Sequence, residues 1–510
     1  MRWKLVVTLM VAATSRIAAQ PAPGPSAAVL RPRIDSMALR AHTYFLSHDL
    51  LEGRGTGRRG NNIAALYLAA TAEALGLSGA GEGGSYFQVV PLTEAVIDTV
   101  GTRLELNVDT AHGRVAVRAF RTPRDFVPNV GTGASLVSFA GPLAYVGSAH
   151  EILLNPGSLP VLTGRVALVR GPFGSDMAAA DTLRARGVTG VVQLAGDTGT
   201  YALYVRSRGP SRIFNADSVH AVSSFIPPIP DVIGGPDLIR ALVPDLPAPG
   251  SADDHPYLLP GRRVTVRIAV HAHPLVSRNV AAILPGSDPA RRAEYVVYTA
   301  HLDHLGISVP DERGDSIYNG FSDNAAGCAM LLAIAQAMVA GPRPERSVLF
   351  LWPTGEERGL LGSDYFAAHP LVPADRMVAE INLDAGAPPA PPVVWQIAGG
   401  TASTLGQLAV DVAHAAGWEA KVAAASPNSD YFPLLRIGVP AVFLVPDAPY
   451  EGLTMEASQA LGKRWDHYHQ AADEWHADFP FSGLVRYADF AYRVGMAAAA
   501  APRAAVLPAR

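Results

Sequence analysis

Three apolar, β-branched runs in the second half of the chain each stop on an acid or a histidine. Tyr295-Val296-Val297-Tyr298-Thr299-Ala300 runs into His301 and Asp303, Ser347 to Pro353 runs into Glu356 and Glu357, and Met377 to Leu383 runs into Asp384. Runs of this length and composition read as buried strands. Helix patterns alternate with them: Ala325 to Ala340, almost without a polar residue, Gly359 to Ala368 and Leu405 to Ala416, with a further strand at Ala441 to Val445. That alternation predicts an α/β fold with a mostly parallel, doubly wound sheet and helices on both faces. In such sheets strand ends and helix starts converge on one crevice at the carboxyl edge.

Taken singly, each polar residue has a structural explanation: Asp323 as a helix N-cap, Asp384 as a turn residue, His467 as a surface histidine. The ordered set resists that explanation. Adjacent glutamates at a sheet edge repel one another, and burying them is costly unless cations neutralise them. Two histidines and three carboxylates are what a pair of hydrolytic divalent ions requires, and imidazole and carboxylate both suit zinc. A paired site needs one shared carboxylate, and a remaining glutamate is free to act as general base. His301 and Asp303, two residues apart, project from the same side of extended backbone, so one binds metal while the other holds the imidazole.

The rest of the chain sets bounds. Its 510 residues suffice for two or three domains, and 49% hydrophobic with 17% charged residues suits a folded protein. With 41 basic and 45 acidic residues the net charge is -4, which offers no electrostatic case for nucleic acid or an anionic membrane. Arg2 and Lys4 ahead of the apolar run Leu5 to Ala13, then small residues at Ala18-Ala19, predict a secretory signal over residues 1–20 and a secreted or periplasmic protein. No later segment reads as a membrane span. A linker is expected over 21–32, an N-terminal part of the main α/β region over 33–130, a β-rich insert over 131–255 closed by a linker at Pro247 to Ser251, the main domain that carries the acids and histidines over 256–500 and a loose tail over 501–510. The single cysteine, Cys328, sits in an apolar helix pattern and reads as a small buried hydrophobe. Leu51 to Gly57 (LEGRGTG) lacks the Gly-Lys-Ser/Thr of a phosphate loop and reads as an ordinary turn.

The motifs HLDHLG (His301 to Gly306), GDSIYNGFSDNAAG (Gly314 to Gly327), GEERGLLGS (Gly355 to Ser363), INLD (Ile381 to Asp384), SDYFPLLRIGVPAVF (Ser429 to Phe443) and YHQAADEW (Tyr468 to Trp475) together resemble the M28 family of zinc aminopeptidases and carboxypeptidases. The N-terminal LEGRGTG (Leu51 to Gly57) and SYFQVVP (Ser85 to Pro91) are also similar to that family's opening, and GRVALVRG (Gly164 to Gly171) and ARGVTGVV (Ala185 to Val192) resemble the protease-associated domain that some members carry as an insert. The resemblance implies two zinc ions bridged by Asp323, with His301 and Asp384 completing one site and Glu357 and His469 the other. Glu356 would be the general base, Asp303 would orient His301, and Tyr468 would donate a hydrogen bond to the oxyanion or pack as an aromatic. His304 would be structural, and a swap of His467 for His469 stays open on local pattern. Two departures stand out: Ala385-Gly386 follows Asp384 where a methionine is usual, and Gln470-Ala471 replaces Thr-Pro. Neither removes a ligand, so the difference is expected in the wall of the substrate pocket.

The implied activity is that of a secreted dizinc exopeptidase on peptide substrates, with aminopeptidase action preferred and a carboxypeptidase or dipeptidase as its rival. The related M20 family shares the ligand order but inserts its lid between the third carboxylate and the last histidine, where this chain has only 84 residues between Asp384 and His469. A glutaminyl cyclase would hold one zinc. A receptor-like protein on the same fold would have lost ligands, and none is missing here.

Overall fold

The alternating pattern folds as read. The computed structural model describes residues 34–110, 115–129, 136–171, 177–208, 211–216 and 229–507. Four parallel strands make the middle of the sheet, in the order Ala441–Tyr450, Met377–Asn382, Tyr295–Thr299, Ser347–Trp352. On one side Pro392–Ala398 pairs antiparallel with the first of these and carries Glu419–Val422 beyond it. On the other, the far half of a 28-residue strand, Tyr257–Leu284, pairs antiparallel with Ser347–Trp352 and then with Phe87–Ile97. The parallel centre is therefore flanked by antiparallel strands.

Alternation along the central strands divides the core in two, because successive side chains leave a strand on opposite faces. Val296, Tyr298, Val348, Phe350 and Trp352 pack beneath the helices Ser36–Leu46, Arg59–Ala74, Ala326–Ala340, Thr404–Ala415 and Ser482–Ala500. Val297, Leu349 and Leu351 face Leu361–Ala368 and Tyr431–Arg436. Ala326–Ala340 is apolar on every side because it is enclosed on every side, and Leu331, Leu332 and Ile334 are fully buried. Each such side chain contributes roughly 2 kcal/mol. With its lead-in, Phe321–Ala340 is also long and apolar enough to cross a membrane, but 83% of that window is buried inside the protein.

The β-rich insert is larger than expected. Strands Arg103–Asp109, Val115–Arg121 and Phe126–Asn129 were assigned to the main α/β region by a boundary at 131, yet they belong to the insert's sheet. Arg103–Asp109 pairs with the near half of Tyr257–Leu284, and Phe126–Asn129 pairs with Asp231–Gly234. Leu104, Leu106, Phe120 and Phe126 share one core with Tyr145, Val232 and Val264. The expected linker at Pro247 to Ser251 is instead a loop inside this body, held by a hydrogen bond from Arg170 to the Pro247 carbonyl (2.6 Å) and one from the Gly250 N–H to Asp254 (2.9 Å). The connection back to the catalytic sheet is the long strand itself, continuous through both bodies. The residues from 501 are not loose over their described part: Leu507 N–H donates to Ala402 O (2.8 Å), Thr404 N–H to Ala505 O (2.9 Å), and Val506 bridges to Ser403. These bonds run through the tail's backbone, which small residues leave free to pair. The signal, the first linker and 508–510 lie outside the described residues.

Candidate metal centre

Each parallel strand delivers its polar residue to one place. His301 follows Tyr295–Thr299 by two residues, Asp384 follows Met377–Asn382 by two, and Glu356 and Glu357 open a short 3₁₀ turn after Ser347–Trp352. Asp323 lies in an irregular turn ahead of the central helix, with non-helical φ and ψ of −123° and 93°. Gly320 makes that turn feasible: its φ is +60°, and a Cβ there would stand 2.2 Å from the Asp323 carbonyl and 2.5 Å from the His304 ring. His469 comes from a distant loop and itself holds a positive φ of 55°. A non-glycine residue there costs on the order of 1 kcal/mol, a form of strain that clusters at functional sites.

Asp323 is the hub. Its Oδ1 is 3.1 Å from His301 Nε2 and its Oδ2 is 3.0 Å from His469 Nε2. His301 Nε2 is also 2.9 Å from Asp384 Oδ1, and His469 Nε2 is 3.1 Å from Glu357 Oε2. Glu356 Oε2 stands 4.0 Å from His301 Nε2. Ligand atoms of His301, Asp323 and Asp384 all lie within 4.8 Å of one another, and so do those of His304, Asp323 and Glu357.

His304 and His469 both approach Glu357, and their geometries differ. His304 Nδ1 makes a hydrogen bond of 2.6 Å to Glu357 Oε1, so its proton is already engaged. His469 Nε2 is buried within 3.1 Å of two carboxylate oxygens and makes no hydrogen bond of acceptable geometry. An imidazole nitrogen set between two carboxylate oxygens without a hydrogen bond stands where a bound cation would bridge the three. His469 is thus the free donor, and His304 holds Glu357 in place, a more specific role than the structural one expected. His467 makes no ion pair or ring contact with this cluster among the described residues. A donor set of imidazole nitrogens and carboxylate oxygens, meeting on one shared acid, fits a divalent metal of the zinc type.

Electrostatics agree. Burial opposes ionisation of Glu357, yet His469 and His304 hold it down at about 2, and burial opposes protonation of His469, yet Glu357 and Asp323 carry it up to about 11. Asp323 is held well below its ordinary value by His301, His304 and His469 against the effect of burial. Glu356 goes the other way: burial, then the charges of Asp384 and Glu357, push it well above the ordinary range, with His301 opposing. A glutamate so displaced, beside ligands but not among the closest contacts, has the character of a proton carrier.

The surrounding supports were only partly visible in the sequence. The His301 ring is held by the backbone carbonyl of Asp303 (Nδ1 to O, 3.1 Å), while the Asp303 carboxylate is 3.8 Å from that nitrogen. That carboxylate instead accepts from the Thr56 hydroxyl (2.7 Å) and the Glu356 N–H (3.2 Å), so Asp303 orients the base as much as the ligand. Ser429 donates to Asp384, and Asp473 accepts the N–H groups of Ser322 and Asp323. Ser429 and Asp473 stand inside recognised motifs, and chain pattern alone gave them no role. Tyr468 is exposed and stacks on the His469 ring at 3.8 Å. Beside the cluster opens a cavity of about 580 Å³, and Ala385 and Gly386, the first departure noted above, do line it.

What fold and site define is an α/β protein with a divalent-metal centre at the carboxyl edge of its sheet. Residues 279–492 match the peptidase family M28. A curated protein described as a "probable zinc metalloprotease", from Leptosphaeria maculans, is 31% identical over 113 residues, 21% of this chain; the chain spans about a quarter of that relative's length. Among solved structures, an aminopeptidase from Aneurinibacillus sp. strain AM-1 superposes with a TM-score of 0.54 and 19% identity, covering 91% of this chain and 93% of its own. A zinc aminopeptidase from Bacillus subtilis gives 0.52 and 17%, covering 91% and 95%. A peptidase M28 precursor from Shewanella amazonensis gives 0.50 and 16%, covering 90% and 95%. At these identities the likeness is one of fold, and it extends over the insert as well as the catalytic sheet.

Proposed function

We propose that the chain is a secreted zinc exopeptidase, an aminopeptidase, with two zinc ions held by His301, Asp323 and Asp384 on one side and by Asp323, Glu357 and His469 on the other. The observation that carries this reading is Asp323, whose two oxygens each face a different imidazole at hydrogen-bond distance. When bound, such ions polarise a carbonyl and acidify water. The chain's own residues do the rest. Glu356, raised by burial and its neighbours, takes a proton and returns it to the leaving amine, and the Glu356 backbone bond to Asp303 fixes where it stands. Tyr468, which lines the cavity and stacks on His469, is read as the donor to the developing oxyanion.

Charge in the cavity favours the amino terminus of a peptide. With Asp323 and Asp384 taken up as ligands, Glu356 and Asp466 are the acids left in its lining, and no lysine or arginine is among the lining residues. An ammonium group is attracted there, whereas a terminal carboxylate would find no cation of the chain to pair with. The aromatic walls Phe443, Tyr450 and Trp465 leave room for an apolar side chain. The fold neighbours described as aminopeptidases support the same choice. The β-rich body is read as a protease-associated insert and residues 1–20 as a secretory signal, on the motifs that carry those resemblances.

A panel of aminoacyl fluorogenic amides, the same compounds N-acetylated, and peptides with free carboxyl ends, assayed with metal content measured in parallel, tests the reading. Two zinc ions per chain and chelator-sensitive hydrolysis confined to free amino termini are expected. Cleavage of the N-acetylated peptides from their carboxyl ends would replace it with a carboxypeptidase. Hydrolysis of none would leave a binding protein.

A further inference from the structure

Beneath the metal loops lies an arginine with no acidic partner at contact distance. Arg54 is buried to 1% exposure, and every hydrogen bond its guanidinium makes among the described residues goes to a backbone carbonyl. Nε donates to Leu302 O (3.0 Å), Nη1 to Leu46 O and to Asn319 O (2.6 Å), and Nη2 to Gly320 O (2.9 Å). Leu302 stands between His301 and Asp303, and Gly320 opens the turn that carries Asp323. One planar fork therefore ties three separate segments together.

The backbone around Arg54 is bent to put it there. Glu52, Gly53 and Arg54 hold consecutive positive φ values of 50°, 63° and 50°. A Cβ on Gly53 would stand 2.3 Å from the Tyr318 carbonyl and 2.7 Å from that of Gly306, so the segment is pressed directly on the metal-bearing loops. Main chain continues the contact: His304 N–H donates to Arg54 O (3.2 Å), Gly55 bridges to His304, and Thr56 reaches Asp303. Two non-glycine residues in left-handed backbone are costly, and such strain persists only where the surroundings over-determine it.

We infer that Arg54 is a positioning residue for the metal centre, a hub that sets the spacing between the His301 loop and the Asp323 turn. Four of the guanidinium's donors, fixed in one plane, reach carbonyls on three segments, and a lysine ammonium, with three donors on one atom, does not span them. Burial works against the charge of Arg54, and Cys328, Asp323, Asp303 and Asp473 work for it, so the same group offsets part of the acidity that the ligands bring together. This inference rests on the metal reading above.

The test is cobalt(II) binding by the full chain, followed by competition with a chelator and by the visible absorption of the bound ion. Arg54→Lys is expected to weaken binding about 10- to 100-fold and to shift the cobalt bands, as loss of an outer support does at metal sites. A folded Arg54→Lys protein with wild-type affinity and spectrum overturns the proposal. Should that variant not fold, Arg54→Gln decides: its short planar amide cannot reach Leu46, Leu302 and Asn319–Gly320 together, and every ligand stays in place. A several-fold loss of cobalt affinity there supports the proposal and none overturns it. Failure of the wild-type chain to bind cobalt would instead sink the metal reading itself.

Discussion

Buried acids in the insert each meet an arginine, and at the sheet edge acids crowd one another around three histidines. In the insert, Asp254 accepts from Tyr145 (2.6 Å) and Gly250 and pairs with Arg170 (3.1 Å), and Asp125 is bound through both oxygens by Arg124. Both acids lie below their ordinary values although burial pushes the other way. At the carboxyl edge of the catalytic sheet, burial and neighbouring negative charge raise Glu356 and Asp384, and Asp430 and Asp473 reach about 7. A fold that only needed stability would pair these groups or replace them, since an uncompensated buried charge costs several kcal/mol. The difference marks which region is built around something the chain itself does not supply.

Removing metal should break the comparison most visibly. Dialysis against chelator is expected to abolish hydrolysis and lower the melting temperature, because Asp323, Glu357 and Asp384 lose the charge that offsets them. Differential scanning calorimetry with and without zinc measures it, and an unchanged melting temperature would mean that the cluster needs no cation. Replacement of Glu356 by glutamine should come next, with kcat falling about 10²- to 10⁴-fold and zinc content unchanged. A variant that lost metal along with activity would make Glu356 a ligand and not a base.

Asp364 sharpens the contrast from within the catalytic half. Its carboxyl is raised to about 7 by burial, with Arg436, 3.3 Å away, opposing. A carboxyl whose folded value lies above its unfolded one binds its proton more tightly in the native state, so stability falls as pH rises from about 4 through about 7. Asp364→Asn removes that slope. Relative to wild type it should gain up to about 4 kcal/mol between pH 4 and pH 8, read from melting temperatures across that range. In the insert, Asp254→Ala removes the acceptor of Tyr145 and the ion-pair partner of Arg170, which keeps its bond to the Pro247 carbonyl, and should cost about 2 kcal/mol. Zinc content and kcat should stay as in wild type, because no metal-bearing loop touches that trio.

How much of this was readable in the chain follows the same division. His301, Glu357 and Asp384 were legible as candidates because each follows the end of an apolar run, whereas Asp323 and His469 were named as ligands only through the family resemblance. The supports were not legible, because their meaning depends on what they touch across the fold. Arg54 and Thr56 lie in a glycine-punctuated stretch that reads as a turn, and it is one, yet its function comes from carbonyls some 250 residues away. His304 looked structural until its bond to Glu357 separated it from His469. The insert's start was set too late because residues 103 to 129 alternate like any half-buried strands. Only pairing with the long strand shows which sheet they join.

The smallest effect should come from Asp466, and it bears directly on which peptide end enters. This acid is exposed in the cavity wall, with its Oδ1 accepting the Tyr468 N–H at 3.3 Å. An exposed charge attracts an ammonium through water and salt, so its contribution is under about 1 kcal/mol. Asp466→Asn should therefore raise KM for aminoacyl substrates by less than about fivefold, leave kcat unchanged, and lose its effect as ionic strength rises. If KM falls instead, the group approaching this wall is an anion. The carboxyl terminus of the peptide would then be the end the cavity receives.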